Sequence, residues 1–144
     1  SISIRVLATR TLNYTQNTGV AVTEYAGVNG GPFATVAIPK WRTNTTVGYD
    51  NDRVSLTATM RTVSAGVYNN AWVQGVDIDN NTMKGATYFD LGGSYRMEAY
   101  FKVDNLLDKS PPVAAANVSS GLQTNPTLYD VLGRAYRLGV RLRY

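Results

Sequence analysis

From Arg134 to Tyr144 the chain reads RAYRLGVRLRY, and apolar and polar positions alternate without a break. Tyr136, Leu138, Val140, Leu142 and Tyr144 share one parity, while Ala135, Arg137, Gly139, Arg141 and Arg143 share the other. Successive side chains of a strand point to opposite faces, so the pattern predicts one long strand with an apolar face and a basic face. Five further strands are expected upstream. Ser1 to Tyr14 puts Ile2, Ile4, Val6, Ala8, Leu12 and Tyr14 on one face, with Leu7 and Arg10 out of pattern. Trp41 to Tyr49, Val54 to Arg61, Ala86 to Arg96 and Met97 to Asp104 alternate in the same way. Such alternation suits a half-buried strand of a soluble sandwich, with its arginines in water. It suits equally a tilted bilayer-spanning strand, with its arginines in a lumen.

The connections separate those readings better than any one strand does. They run long, short, long, short, long, at roughly 24, 4, 22, 2 and 29 residues, and long unstructured connections are uncommon in compact soluble domains. Strict alternation of short turns and long loops is the habit of outer-membrane barrels, whose turns lie on the periplasmic side. Trp41 and Tyr49 share a face eight residues apart, as do Tyr136 and Tyr144. Eight residues at about 3.3 Å each, tilted by about 40°, rise roughly 20 Å, near the height of the apolar band between aromatic girdles. Arg10 on a lipid face would cost about 2–4 kcal/mol at mid-bilayer but little near an interface, where this register places it.

Composition narrows the chemistry. The chain of 144 residues has no Cys and no His, which removes disulfides, thiol nucleophiles and most metal-site and general-base chemistry. We expect no catalytic residue, no metal and no cofactor. The longest apolar run is four residues, Val113 to Ala116, too short for a membrane helix or a signal-peptide core. The opening SISIRV reads as mid-strand, so the chain is expected to be a fragment lacking its upstream part. A net charge of +4 without basic patches interleaved with aromatics gives no reason to expect nucleic-acid binding.

Three strings carry a family resemblance. YFKVDNLLDKSPP, Tyr100 to Pro112, resembles the penultimate-strand signature of TonB-dependent outer-membrane receptors: aromatic, apolar, then Asn-Leu-hydrophobic-Asp-Lys and a Pro. YDVLGRAYRLGVRLRY, Tyr129 to Tyr144, is similar to the ending of that family, with Tyr at the terminal position where Phe is more usual. PKWRTN, Pro39 to Asn44, is similar to the Pro-Lys-Trp that opens an earlier strand. The resemblance implies that residues 1–144 are the last six antiparallel strands of an all-β transmembrane barrel of about 22 strands, without its plug domain and earlier strands. It also implies a place in the bacterial outer membrane and active uptake of a ferric siderophore, cobalamin or an oligosaccharide, with energy from the TonB complex acting through the missing plug.

On this reading Arg42, Arg96, Glu98, Lys102, Asp104, Arg137, Arg141 and Arg143 face the lumen or plug. They form either a wall that holds the plug and guides an anionic ligand, or a solvated lining. Arg5, Arg61 and Asp90 share that face. Tyr25, Phe33, Tyr68, Trp72 and Tyr129, in or at the ends of the long connections, either stack on a small-molecule ligand or anchor their loops. The resemblance further implies that Tyr136, Leu138, Val140, Leu142 and Tyr144 are read by the barrel-assembly machinery. A porin-like channel and a secreted β-sandwich binding module remain as alternatives. In isolation, six strands with open edges and a lipid-facing surface are expected to self-associate.

Overall fold

The computed structural model describes residues 1–30, 37–95, 98–113 and 121–141. Among these residues ten strands form: β1 (Ile2–Arg10), β2 (Thr15–Asn17), β3 (Val22–Glu24), β4 (Trp41–Asp50), β5 (Val54–Val63), β6 (Gly66–Val67), β7 (Thr82–Met83), β8 (Ala86–Tyr95), β9 (Ala99–Asp104) and β10 (Ala135–Val140). Six of them make one sheet in the order β1-β4-β5-β8-β9-β10, each antiparallel to the next. The fold is all-β, and the main sheet is open at β1 and β10. No helix among the described residues is long and apolar enough to cross a membrane, which says nothing about crossing with strands.

The six alternating segments are the six strands of this sheet, and their ends explain the differences from the sequence pattern. β1 stops at Arg10 rather than Tyr14. Thr11 N still donates to Lys40 O at 3.0 Å. Beyond it the chain is captured by the small β2–β3 hairpin, where Tyr25 N donates to Tyr14 O at 2.7 Å. The hairpin turns at Gly19, whose φ of 82° is open to glycine, and Asn17 Oδ1 accepts the Gly19 N–H at 2.8 Å. β10 is described as far as Val140, and Arg141 N continues the pairing onto Glu98 O at 2.6 Å. Arg96 and Met97 of the β8–β9 return, Phe33, and the terminal Leu142, Arg143 and Tyr144 lie outside the described residues.

The register assembles the apolar parity into rows running straight across the sheet. Ile2, Tyr49, Leu56, Gly93, Phe101 and Leu138 form one row; Ile4, Val47, Ala58, Leu91, Val103 and Tyr136 form the next. Val6, Thr45, Met60 and Phe89 follow, and Arg10 pairs with Trp41 at the far edge. A side chain at Gly93 would strike Phe101 and Leu56, so the missing Cβ lets those two close over the row. This face is bare: Ile2 is 74% exposed and Leu138 81%.

The packed core lies elsewhere. Val63, Ala86 and Tyr88, at the ends of β5 and β8 that adjoin the long connections, are buried with Tyr68, Met83, Leu128 and Tyr129 of those connections. Val63, Ala86 and Tyr88 belong to the polar parity, so the long connections fold back over that face of the sheet at one end.

Candidate functional site: a charged sheet face beneath a packed loop cap

Below the loop cap, the polar face is built from ion pairs. Arg61 on β5 meets Asp90, its diagonal neighbour on β8, in a bidentate fork, Nε to Oδ2 at 2.7 Å and NH2 to Oδ1 at 3.0 Å. Arg61 also lies 5.4 Å over the Tyr88 ring. On β9, Asp104 takes Lys102 Nζ at 2.7 Å and the Arg137 guanidinium of β10. These groups border a cavity of about 660 Å³ that is closed on one side by Asp130, Leu132 and Gly133 of the last connection. Each cation named here has a carboxylate partner, so the wall is self-compensating rather than uniformly positive.

The signature string does local work here. Asn105 follows β9 with φ 51° and no exposed surface. Its Oδ1 accepts Lys109 N at 2.8 Å and its Nδ2 donates to Lys109 O at 3.0 Å, closing Asn105 to Lys109 into a hook. Asn105 N donates to Asp90 Oδ1 at 2.9 Å, which ties the hook to the Arg61–Asp90 fork. Asp108, with φ 52°, accepts Arg134 N at 2.9 Å and so fixes the chain where it returns into β10. Asn and Asp are the non-glycine residues that best tolerate this left-handed backbone, which gives the Asn-Leu-Leu-Asp spacing a physical reason.

Above the hook, three connections become one body. Asn29 Nδ2 donates to Ser64 O at 2.8 Å and to Tyr129 Oη at 3.1 Å; Tyr129 Oη donates to Lys84 O at 3.3 Å. Asn125 Nδ2 donates to Asn29 O at 2.8 Å. Asp130 N donates to Tyr88 Oη at 3.2 Å, docking the last connection on β8. Burial raises the hydroxyl pKa of Tyr68 and Tyr129 above the ordinary tyrosine value. Glu24 has the opposite shift, because its carboxylate accepts the Tyr14 and Ala26 N–H groups at 2.7 and 2.8 Å.

The aromatic candidates divide on burial. Tyr68 and Tyr129, 4% and 2% exposed, are packed inside the cap, a placement that fits the loop-anchor role of the two offered for them. Trp72 stacks on Tyr68 with ring centres 5.3 Å apart and is half-buried, and Tyr25 meets Tyr14 edge-on at 6.4 Å. Trp72 and Tyr25 therefore keep a surface that a ligand can reach. Phe33 lies outside the described residues.

Among the lumen candidates, Lys102, Asp104 and Arg137 come together as above, and Arg42 lies on the same face, bordering a smaller cavity of about 290 Å³ with Arg61, Leu7 and Leu128. That cavity accounts for Leu7, the apolar residue on the wrong parity: it faces the underside of the cap. Glu98 and Arg141 are joined through backbone, not by an ion pair. Arg96 and Arg143 lie outside the described residues. Tyr136, Leu138 and Val140 are all exposed on the apolar face of the edge strand, with Leu142 and Tyr144 beyond the described part.

Sequence reasoning missed the buried asparagines Asn29, Asn81 and Asn125, the polar frame of the cap, and marked Asn105 only as part of the family-like string. Asn29-Gly30 and Asn125-Pro126 are turn signals that mark the places but not the partners. Among the described residues no group of His, Cys, Asp and Glu is arranged to hold a metal ion. No protein-family model, curated protein or solved structure matches the chain.

Proposed function

We propose that the chain is the C-terminal part of the β-barrel of a TonB-dependent outer-membrane receptor, which takes up a scarce nutrient of the ferric siderophore, cobalamin or oligosaccharide kind. In this reading the apolar rows meet lipid, the ion-paired face lines the lumen, and the packed connections form part of the extracellular mouth. The chain transports and does not catalyse. TonB acts through the plug, and the barrel-assembly machinery reads the Tyr136, Leu138 and Val140 side of β10.

One observation carries the proposal: the apolar rows are continuous over six strands and no described residue covers them. A soluble sandwich buries such a face under a second sheet about 10 Å away. In this chain the described connections fold onto the other face instead. Trp41 and Tyr49, 45% and 41% exposed, stand eight residues apart on the bare face, as interfacial aromatics do. The hook at Asn105 to Lys109 gives the family-like string a structural task, which adds to the sequence resemblance.

The test is an immunoblot of fractionated source cells with an antibody against the connection between β9 and β10. The expected band is several times heavier than the chain's 15.7 kDa, sits in the outer membrane and shifts in mobility on boiling. A soluble band near 15.7 kDa would overturn the proposal. An outer-membrane band whose substrate uptake is indifferent to loss of TonB would point to a porin-like channel.

A further inference from the structure

Arg10 is the one charge on the apolar face of β1. It shares parity with Ile2, Ile4, Val6 and Ala8, and the register sets it opposite Trp41, in the last row before the long connections. Its guanidinium lies 5.2 Å over the Trp41 ring. On the polar face Arg61, Lys102 and Arg137 each hold a carboxylate, whereas no ion pair involves Arg10 among the described residues. An exposed cation at the rim of a greasy face, facing outward with no internal counter-ion, is arranged for an external anion.

The platform beneath it is fixed. Thr11 N pairs with Lys40 O at 3.0 Å, Trp41 N donates to Ser64 Oγ at 3.1 Å, and Ser64 N donates to Trp41 O at 3.0 Å. Neighbouring Lys40 is directed elsewhere: its stem lies against Gly27, where an added Cβ would come within 3.0 Å of Cε, and its charge acts on Glu24. Of these two neighbouring cations Arg10 is therefore the one left to the rim. Its planar fork suits the oxygens of a phosphate, and the indole holds that fork in place.

We propose that Arg10, stacked on Trp41, binds the phosphate of a phosphorylated lipid of the outer leaflet. This rests on the outer-membrane reading above, in which the Arg10 row lies at the extracellular interface, roughly 20 Å from the Ile2 row along the membrane normal. The anchored lipid would hold the β1–β4 seam at a defined height in the membrane.

The test uses the protein extracted from outer membranes in mild detergent, with native mass spectrometry against added lipid A in its phosphorylated and dephosphorylated forms. The expected result is that the wild type holds one phosphorylated lipid A about tenfold more tightly than the Arg10→Gln variant, while Arg10→Lys retains most of the binding. The heat-shift of each variant reports that its barrel is intact. Equal binding by wild type and Arg10→Gln, with both in the outer membrane, would overturn this inference and leave the transport reading standing. Equal binding of dephosphorylated lipid A, or full displacement by millimolar inorganic phosphate, would overturn the lipid-phosphate assignment. Absence of the protein from the outer membrane would overturn both readings.

Discussion

The two ends of the six-stranded sheet invert one another. Toward the tight turn at Asn51 to Arg53, the apolar parity carries the large hydrophobic side chains and is bare, while the polar parity carries small residues such as Ser3, Gly48, Thr57 and Gly92. Toward the long connections, the polar parity takes over the hydrophobic load: Leu7, Val63, Ala86 and Tyr88 belong to it, and the last three are buried under the cap. Alternation thus says which face a side chain takes, but not what comes to cover it. The described residues leave the apolar end bare, whereas the other end is packed under its own connections. The proposed lipid face and the loop core divide the same strands between them at about the level of Arg61 and Asp90.

The largest effect expected from breaking this division is at the cap. Tyr129→Ala empties a fully packed site and is expected to cost about 3–5 kcal/mol. The loss would appear as faster hydrogen exchange across residues 24–30, 64–85 and 124–130, with the Leu56 to Ala58 amides unchanged. Equal loss in both regions would mean that cap and sheet are one cooperative unit.

Next comes a pair of neighbours on opposite faces. Ala58→Arg, in an apolar row, is expected to lose about 2–4 kcal/mol in bilayer unfolding experiments, and Thr57→Arg far less. Similar costs for the two would count against the proposed lipid and lumen faces.

The boundary itself gives a smaller effect. Asp90→Asn weakens the Arg61 fork beside the Asn105 hook, at an expected cost of about 1–2 kcal/mol, which a parallel Asp104→Asn variant brackets in the same assay.

The smallest is a pH effect confined to the outermost hairpin. Glu24 has a folded pKa below its ordinary 4.5, so its contribution is present above that value and is lost as pH falls through the lower, folded one. Amide exchange at Tyr14 and Ala26 is expected to accelerate only in that acidic window, and Glu24→Gln should abolish the transition.

Much of this was legible in the sequence because a period of two over eight to ten residues is hard to produce by accident. Trp41–Asp50, Val54–Val63 and Ala86–Tyr95 follow it closely, and their cross-strand partners fall on matching parity. The cap was not legible. Its small strands β2, β3, β6 and β7 have two or three residues each, below any readable period. Its asparagines act through partners distant in the chain, and Asn looks the same in a loop whether it meets water or a buried carbonyl. Tyr68 and Tyr129 illustrate the cost of that blindness. An aromatic residue in a long connection reads as available for stacking until the chain is seen to close over it.

The hydrogen bond between Asn29 and Tyr129 joins residues 100 positions apart, and that between Asn125 and Asn29 spans 96. Neither can form before the last connection has been made, whereas the β4–β5 and β8–β9 hairpins need only their own neighbours. Contacts with such long closure come late on physical grounds. The strands therefore pair while the cap is still loose, and its long-range bonds form last. A chain interrupted between Asp104 and Asn125 would keep both hairpins and lose the knot that binds its three long connections.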